Sequence, residues 1–467
     1  MPWGTPSTDR ASPSRPGSTT SPGWPPHSRS ASEPPRHRVL DSSGTVVIER
    51  RAYRRVTWRL IPFLFACYVA AYLDRVNVGF AKLQMLADLQ MSETAYGIGA
   101  GIFFIGYFLF EVPSNLILHR TGARAWIARI MITWGLLSAA TMWVTSATAF
   151  YALRFLLGIA EAGFFPGIVL YLTQWYPAPR RARIMALFMT AIAIAGVIGG
   201  PVSGWILSEM AGKNGWAGWQ WLYLLEGIPA VLLGVATYFY LDDSIEGARW
   251  LPDDEKAVLR AQLRADPAGE EHVSVMAALR DSRVVLLAAL YFCSILGLYG
   301  LAFWMPQLIR TLGVAEPWRV GMLSAIPYGV ATVAMVLAGQ SSDRRGERRW
   351  HLVGSALIGA VGLVGAAWFR TEPVAGMIAF SVAAAGILSL PPLFWTIPTT
   401  LLRGVSAAAG IAAINSVGNL SGFVSPYMIG TITDATGEAT IGLYVLAASL
   451  VASAGLSIAA TAPPTRR

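Results

Sequence analysis

Residues 339–348 read Gly339-Gln-Ser-Ser-Asp343-Arg-Arg-Gly346-Glu-Arg348, and a related stretch, Asn115-Leu-Ile-Leu-His-Arg120-Thr-Gly122-Ala-Arg124, lies 224 positions earlier. Both stretches carry arginine, glycine and arginine in register, at Arg120, Gly122 and Arg124 and at Arg344, Gly346 and Arg348. A short charged loop after an apolar segment is common by chance. Its recurrence at about half the chain length indicates a duplicated architecture.

Composition explains what is duplicated. The chain has 467 residues, of which 54% are hydrophobic and 13% are charged. A soluble protein carries roughly a quarter of its residues as charges. This composition excludes a disordered protein, a nucleic-acid binder and an ordinary cytosolic enzyme, and it leaves a polytopic membrane protein.

Twelve apolar segments are long enough to cross a bilayer, which takes about 20 residues. They lie at 57–80, 95–118, 125–144, 148–173, 183–208, 219–241, 284–309, 318–340, 350–369, 374–400, 405–431 and 438–461. The sequence therefore predicts an all-α fold of twelve transmembrane helices in two six-helix halves. Parallel repeats of this kind are typical of transporters that rock one half against the other.

The predicted domains follow from these segments. They are a Pro/Ser/Arg-rich disordered tail (1–50), an N-terminal half (51–241), a central loop (242–283), a C-terminal half (284–461) and a short tail (462–467). Short loops on the side of the termini hold ten basic residues, whereas those on the opposite side hold five. The positive-inside rule then places both termini and the central loop in the cytoplasm of a multi-pass plasma (bacterial inner) membrane protein.

Gly339-x-x-Ser342-Asp343-Arg344-x-Gly346-x-Arg348 resembles the signature loop of the major facilitator superfamily; the first copy departs from it at Asn115 and His119. Four further stretches resemble its anion:cation symporter branch, at 72–79, 111–115, 154–167 and 250–256. Residues 126–135 look most like those of bacterial tartrate, phthalate and sugar-acid permeases. The resemblance implies proton-coupled uptake of a small organic carboxylate, with both signature loops acting as conformational gates.

Away from the span ends, seven charged residues fall inside the predicted spans: Asp74, Arg75, Glu111, Arg129, Arg154, Glu161 and Glu226. Each charge at mid-bilayer costs about 2.5–3.5 kcal/mol, so these groups must pair or face water. We interpret Glu111 and Arg129 as structural ion-pairing residues near helix ends. A packing and anchoring role is expected for Glu226, beside Trp219 and Trp221.

Arg154 and Glu161 are seven residues apart and share a helix face at about 10.5 Å along the axis, too far for a direct pair. Each therefore needs a partner from another helix or a ligand, and Asp74 and Arg75 are candidates. In the functional interpretation, Arg75 meets a substrate carboxylate while Asp74 and Glu161 exchange protons beside Arg154. The alternative is a static salt-bridge network. The resemblance implies the functional roles at all four positions.

The second half repeats none of these charges at the same offset. It carries uncharged hydrogen-bonding residues instead, at Tyr299, Gln307, Tyr328, Trp395, Thr396, Asn415 and Asn419. The resemblance adds Tyr107, Trp395 and Asn415 to Arg75 as substrate-binding residues. Helix packing by polar side chains is the alternative for each.

Glycine and proline mark further features. Gly196, Gly200 and Gly204 recur every four residues around Pro201, which lets another helix approach closely. A Gly-Pro span also resembles a motif of drug:proton antiporters and so favours efflux as the alternative function. Pro166-Gly167 and Pro391-Pro392 occupy nearly equivalent places in the two halves and predict helix hinges or cavity walls.

Three other classes of function remain to be weighed against a symporter. Besides the antiporter, a transporter-like sensor is possible, although the Asp74–Glu161 pair argues against it. An enzyme is not expected, since no nucleotide loop, His-Glu-x-x-His run or Cys/His cluster is present. The expected partners are a small organic anion, protons and the lipid bilayer, with no cofactor, metal or nucleic acid, and the chain is expected to act as a monomer.

Overall fold

The computed structural model describes residues 42–265, 280–401 and 405–460. Most of the predicted N-terminal tail, part of the central loop and the whole C-terminal tail lie outside these residues, as does the side chain of His119. All regular structure in the described ranges is helical. The predicted all-α fold of two six-helix halves is confirmed.

The N-terminal half contains eight α-helices. They are α1 (Ser42–Val76), α2 (Val78–Asp88), α3 (Glu93–Thr121), α4 (Ala123–Ala140), α5 (Ala147–Glu161), α6 (Phe164–Thr173), α7 (Ala178–Glu209) and α8 (Gly218–Tyr240). In the central loop, residues Asp253–Arg264 form α9. It binds the N-terminal half, where Glu255 pairs with Arg55 at 3.4 Å.

The C-terminal half contains seven α-helices in the described residues. They are α10 (Ser282–Thr311), α11 (Pro317–Arg345), α12 (Arg349–Trp368), α13 (Pro373–Phe394), α14 (Thr396–Leu401), α15 (Val405–Thr436) and α16 (Thr440–Ala460). Eleven described segments are long and apolar enough to cross a membrane. The remaining predicted span, the eleventh (405–431), corresponds to α15, whose 32 residues are also long enough to cross a bilayer.

The first helix differs from its prediction. The prediction ended the tail at residue 50 and ran the first span over 57–80, but α1 begins at Ser42 and ends at Val76. A break at Asn77 follows, and α2 continues to Asp88. Hydropathy missed the stretch before residue 57 because it carries Arg50, Arg51, Arg54 and Arg55, and arginine favours helix almost as well as leucine does.

Two spans are interrupted near the predicted hinges. The fourth span divides at Ala162 and Gly163, whose φ is +85°, and the tenth divides at Trp395. The first break precedes Pro166 because proline is tolerated in the first turn of a helix, where its missing N–H has no partner to lose. The predicted interruptions are therefore present, a few residues from the prolines, and their role as hinges or cavity walls stays a prediction.

The helix ends define two ends of the transmembrane region. We call the end with the connections near residues 90, 145, 213, 314, 371 and 438 the distal end, and the opposite end, with both repeated loops, the proximal end. The halves meet along α3 with α15 and α7 with α11. A Cβ on Gly200 would lie 2.6 Å from the Gly321 carbonyl, and one on Gly204 would lie 2.6 Å from that of Pro317. The close approach predicted for this glycine run is confirmed.

Candidate functional site

The centre of the N-terminal half holds a buried ion pair between two interrupted helices. Arg75 lies in the last turn of α1 and Glu161 is the last residue of α5. Their side chains are 12% and 2% exposed, and Arg75 Nη2 binds Glu161 Oε1. The expectation that Glu161 needs a partner from another helix is met by Arg75.

Asp74 makes a separate set of contacts. Consecutive helical residues point about 100° apart, so Asp74 faces away from its neighbour Arg75. Its Oδ1 accepts hydrogen bonds from Asn77 Nδ2 at 3.1 Å and from Ser138 Oγ on α4. Asp74 is thus a buried carboxyl held by neutral donors.

Arg154 is completely buried on α5. Its Nε and Nη2 donate to the carbonyls of Gly99 and Ala100 at 3.4 and 3.3 Å, and its Nη1 has no hydrogen-bond partner among the described residues. The ring of Phe103 lies between two guanidinium groups, 5.2 Å from that of Arg154 and 5.4 Å from that of Arg75. Arg154 therefore places a cation close to the ion pair without joining it.

Aromatic residues surround this charged group. The Arg75 guanidinium lies 5.5 Å from the Tyr107 ring centre. In the second half, Trp395 Nε1 donates to the Tyr291 hydroxyl at 3.2 Å, and Tyr291 stacks on Phe394 at 4.6 Å. Tyr291 was not predicted, although its position inside the seventh span was visible.

Asn415 and Glu111 connect the two halves. Asn415 Nδ2 donates to Glu111 Oε1 at 3.0 Å, and Ser416 Oγ donates to Oε2 at 3.5 Å. The interpretation of Glu111 as an ion-pairing residue is wrong, since its partners are neutral side chains on α15. Sequence spacing could not reveal a contact between residues 304 positions apart.

Arg129 and Glu226 also form no ion pair with a described residue. Arg129 lies over the ring of Trp126, one turn earlier, at 3.8 Å, and forms no salt bridge with a described residue. The ion pair expected for Arg129 is therefore wrong. Glu226 Oε1 accepts from Ser203 Oγ on α7 at 2.7 Å. This bond is compatible with the packing role expected for Glu226.

Each repeated loop is bonded within its own half. Asp243 accepts from the Arg124 backbone N–H at 2.8 Å and lies 3.6 Å from its Nε. In the second loop, Arg348 binds Asp343 and donates to Ser342 Oγ at 2.6 Å. Arg120 and Arg344 are exposed. The gating role of these loops stays a prediction.

Both loop glycines adopt a backbone that other residues rarely reach. Gly122 has φ of +87° and Gly346 has φ of +62°. A Cβ at such an angle clashes with the neighbouring backbone. The repeated glycines thus have a structural reason, which is the sharp reversal between two helices.

At the distal end, two sets of contacts join the two halves, and we call them the distal latch. Sequence analysis missed them. Lys82 on α2 is 2% exposed, pairs with Glu93 at 2.5 Å and lies 3.3 Å from the Trp304 ring centre on α10. Asp434 on α15 accepts from the backbone N–H groups of Glu93 and Thr94 at 3.1 and 2.8 Å. Because the predicted first span ends at residue 80, the sequence alone places Lys82 in the following loop.

The described residues contain no group of three or more His, Cys, Asp and Glu side chains that could hold a metal ion. The site instead combines the carboxyls of Asp74 and Glu161 with the guanidinium groups of Arg75 and Arg154. The aromatic side chains around them, which we call the aromatic wall, are Phe103, Tyr107, Tyr291, Phe394 and Trp395. Such a set can bind an anion and can exchange protons.

Known proteins share this architecture. The model of the Major Facilitator Superfamily matches residues 64–426. Among solved structures, the xylose transporter XylE from E. coli, in a partially occluded inward open conformation, has a TM-score of 0.65 at 15% identity, covering 86% of this chain and 98% of that one. That likeness concerns the fold alone.

Curated relatives are named as transporters. The putative metabolite transport protein NicT of Pseudomonas putida is 51% identical over 89% of this chain and 95% of its own. A putative tartrate transporter of Agrobacterium vitis is 52% identical over 88% and 91%. The quinolone resistance transporter of Acinetobacter baumannii is 45% identical over 85% and 92%. With the family match over most of its length, this chain is a transporter of the major facilitator superfamily.

Proposed function

We propose that the protein takes up a small organic carboxylate together with protons by alternating access. The single observation that carries this proposal is the buried pair of Arg75 and Glu161. A guanidinium binds carboxylates in a bidentate geometry, so a substrate carboxylate and Glu161 can compete for the same cation.

Competition at Arg75 couples substrate to protons. If a substrate takes the guanidinium, Glu161 is left as a buried carboxylate without its partner, which costs about 3–5 kcal/mol. Protonation of Glu161 removes that charge, so binding of substrate and binding of a proton favour each other. The proton leaves when Glu161 returns to Arg75. Asp74, beside Arg154 in the same half, is the second proton-carrying carboxyl of this scheme.

The arrangement of the halves supports alternating access. At the distal end, the halves are joined through Trp304, Asp434 and the contacts of Gly200 and Gly204. At the proximal end, both repeated loops are bonded within their own halves. We assign the proximal end to the cytoplasm from the arginine count. The structure then represents a state closed toward the outside.

The second half selects the substrate in this proposal. Tyr291, Phe394 and Trp395 form an aromatic group, and Tyr107 of the first half lies beside the Arg75 guanidinium. Asn415 exchanges its bond to Glu111 for one to the substrate. Tartrate is the first candidate, since a relative is named as a putative tartrate transporter. The aromatic wall makes an aromatic acid such as phthalate the second.

Efflux is the alternative function, favoured by one relative named as a quinolone resistance transporter. The two functions predict opposite responses to a proton gradient. Purified protein in proteoliposomes with an alkaline interior accumulates labelled tartrate if it is a symporter, and a protonophore abolishes the accumulation. A drug:proton antiporter instead accumulates a quinolone when the interior is acidic. Tartrate uptake that merely equilibrates, with quinolone accumulation, would replace the symport proposal by efflux.

A further inference from the structure

Glu226 is a buried carboxyl that the scheme above does not use. It lies on α8 and is 7% exposed. One of its oxygens accepts from Ser203 Oγ at 2.7 Å, whereas Oε2 has no hydrogen-bond partner among the described residues. A half-satisfied buried carboxyl is costly as an anion and is expected only where it has a role or carries a proton.

Asn77 connects this carboxyl to the proposed proton site. Its side chain lies beside Glu226 and donates through Nδ2 to Asp74 Oδ1 at 3.1 Å. Asn77 Oδ1 has no donor among the described residues. Asn77 and Glu226 are therefore within hydrogen-bonding reach of each other, and a proton on Glu226 can donate to Asn77 Oδ1.

Glu226 lies nearer the distal end than Asp74 does. Eight residues separate it from Gly218, where α8 begins, which is about 12 Å of helix. Fourteen residues separate Asp74 from Asp88, the distal end of α2, which is about 21 Å. Glu226 therefore occupies the depth between Asp74 and the distal surface.

Ser203 connects Glu226 to the boundary between the halves. It lines a small cavity together with Gly200 of its own helix and with Ser324 and Tyr328 of α11. The contact of Gly200 with Gly321 closes this boundary. When the halves part at the distal end, α7 separates from α11, and water gains access to Ser203 and then to Glu226.

We propose that Glu226 is a proton relay between the distal aqueous phase and Asp74, an inference that rests on the proposed proton coupling. In the transfer, the O–H bond of the Glu226 carboxylic acid breaks and an O–H bond forms on the Asp74 carboxylate. Total charge is conserved, and Glu226 regains a proton from water when the distal end opens. Asn77 and Ser203 hold the two carboxyls in place.

The groups that face this relay are few. From α1, Asp74 faces Glu226, and Tyr223 faces it from its own helix. The Arg154 guanidinium faces Asp74 and Tyr223. No described cation forms a salt bridge with Glu226. Its proton can therefore be lost only toward Asp74 or toward water.

The test compares Glu226→Gln with the wild-type protein and with Glu255→Gln, which removes a buried glutamate paired to Arg55 away from the relay. The relay predicts that Glu226→Gln slows tartrate uptake driven by a pH gradient by at least about tenfold while counterflow stays within about twofold. Preserved counterflow shows that the variant folds. Equal gradient-driven rates in Glu226→Gln and wild type would overturn the relay.

A second measurement needs no substrate. Infrared spectroscopy follows exchange of the Asp74 carboxyl proton for deuterium, assigned with Asp74→Asn. The relay predicts slower exchange in Glu226→Gln but not in Glu255→Gln, and unchanged exchange would contradict it. If instead the wild type performs tartrate counterflow without responding to a pH gradient, the proposed proton coupling itself fails, which is a distinct result.

Discussion

The ammonium group of Lys82 lies 3.3 Å from the centre of the Trp304 indole ring, across the boundary between the two halves. The same ammonium pairs with Glu93 at 2.5 Å, within its own half. A desolvated cation over an indole face is worth about 2 kcal/mol. In the proposed alternating-access cycle this contact forms only while the distal end is closed, so we expect it to stabilise one of the two states.

Replacing Lys82 by Met is expected to weaken distal closure. The variant keeps an unbranched apolar chain but loses the cation, and a loss of 1–2 kcal/mol corresponds to about 5–30-fold more open protein. Labelling of a cysteine at Ser208 by an impermeant maleimide measures opening, in a background without Cys67 and Cys293. The control is Lys213→Met, on an exposed distal loop. Equal labelling of Lys82→Met and the control would refute the latch.

Asp434 is expected to stabilise the closed distal end by binding the N-terminus of α3. Its carboxylate accepts from the first backbone N–H groups of α3, where a negative charge is favourable by about 0.3–1 kcal/mol. Asp434→Ala should therefore broaden and lengthen the distance between spin labels on the distal ends of α3 and α15. Glu438→Gln serves as control because Glu438 pairs with Arg370 inside the C-terminal half. A distance distribution like that of the wild type would argue against this cap.

The fold could be predicted from the sequence because each of the twelve apolar spans, and each copy of the repeated loop, can be recognised in a short stretch of residues. It also predicted that Glu161 must find a partner on another helix, since an isolated charge is costly in a membrane. It could not predict which neutral groups bind Asp74 or Glu111. Ser138 and Asn415 meet these carboxyls through tertiary packing, which leaves no trace in spacing.

Lys82 shows a different limit. The predicted first span ends at residue 80, just before Lys82, yet α2 continues to Asp88 and buries this lysine against the Trp304 ring. A cation can be buried when a carboxylate and an aromatic face replace its water. The partners Glu93 and Trp304 were visible as residue types, but their proximity depends on how the halves close.

Substituting Arg75 by Lys is expected to abolish most carboxylate affinity. Lysine keeps the charge but cannot offer the planar pair of donors that a carboxylate prefers, so the dissociation constant for tartrate should rise by at least about tenfold. Thermal-shift titration with tartrate and phthalate measures this. Arg129→Lys, at a cation stacked on Trp126, is the control. Unchanged affinity in Arg75→Lys would remove Arg75 from the binding site.

The second signature loop is expected to loosen in acid. Burial opposes ionisation of Glu347, but hydrogen bonds from the Trp350 and His351 N–H groups and from the His351 ring together outweigh it and hold the pKa of Glu347 below its ordinary value of 4.5. A lowered pKa in the folded state means that the carboxylate stabilises the loop above about pH 4.5, an effect lost as the pH falls through the folded value.

Hydrogen exchange at the amides of Trp350 and His351 measures this loss. After correction for the intrinsic pH dependence of exchange, the rate in the wild type should rise as the pH falls below about 4.5. In Glu347→Gln the corrected rate should be insensitive to pH. Because Glu347 is close to the surface, the expected effect is below about 1 kcal/mol. A pH dependence retained in Glu347→Gln would assign it to another group.

Glu161→Gln tests the coupling of substrate to protons most directly. Glutamine keeps the size of the side chain but can neither carry the exchanged proton nor hold Arg75 as an anion. In proteoliposomes, the variant should lose accumulation of tartrate driven by a pH gradient while tartrate counterflow survives. Accumulation at the wild-type level by Glu161→Gln would contradict the account.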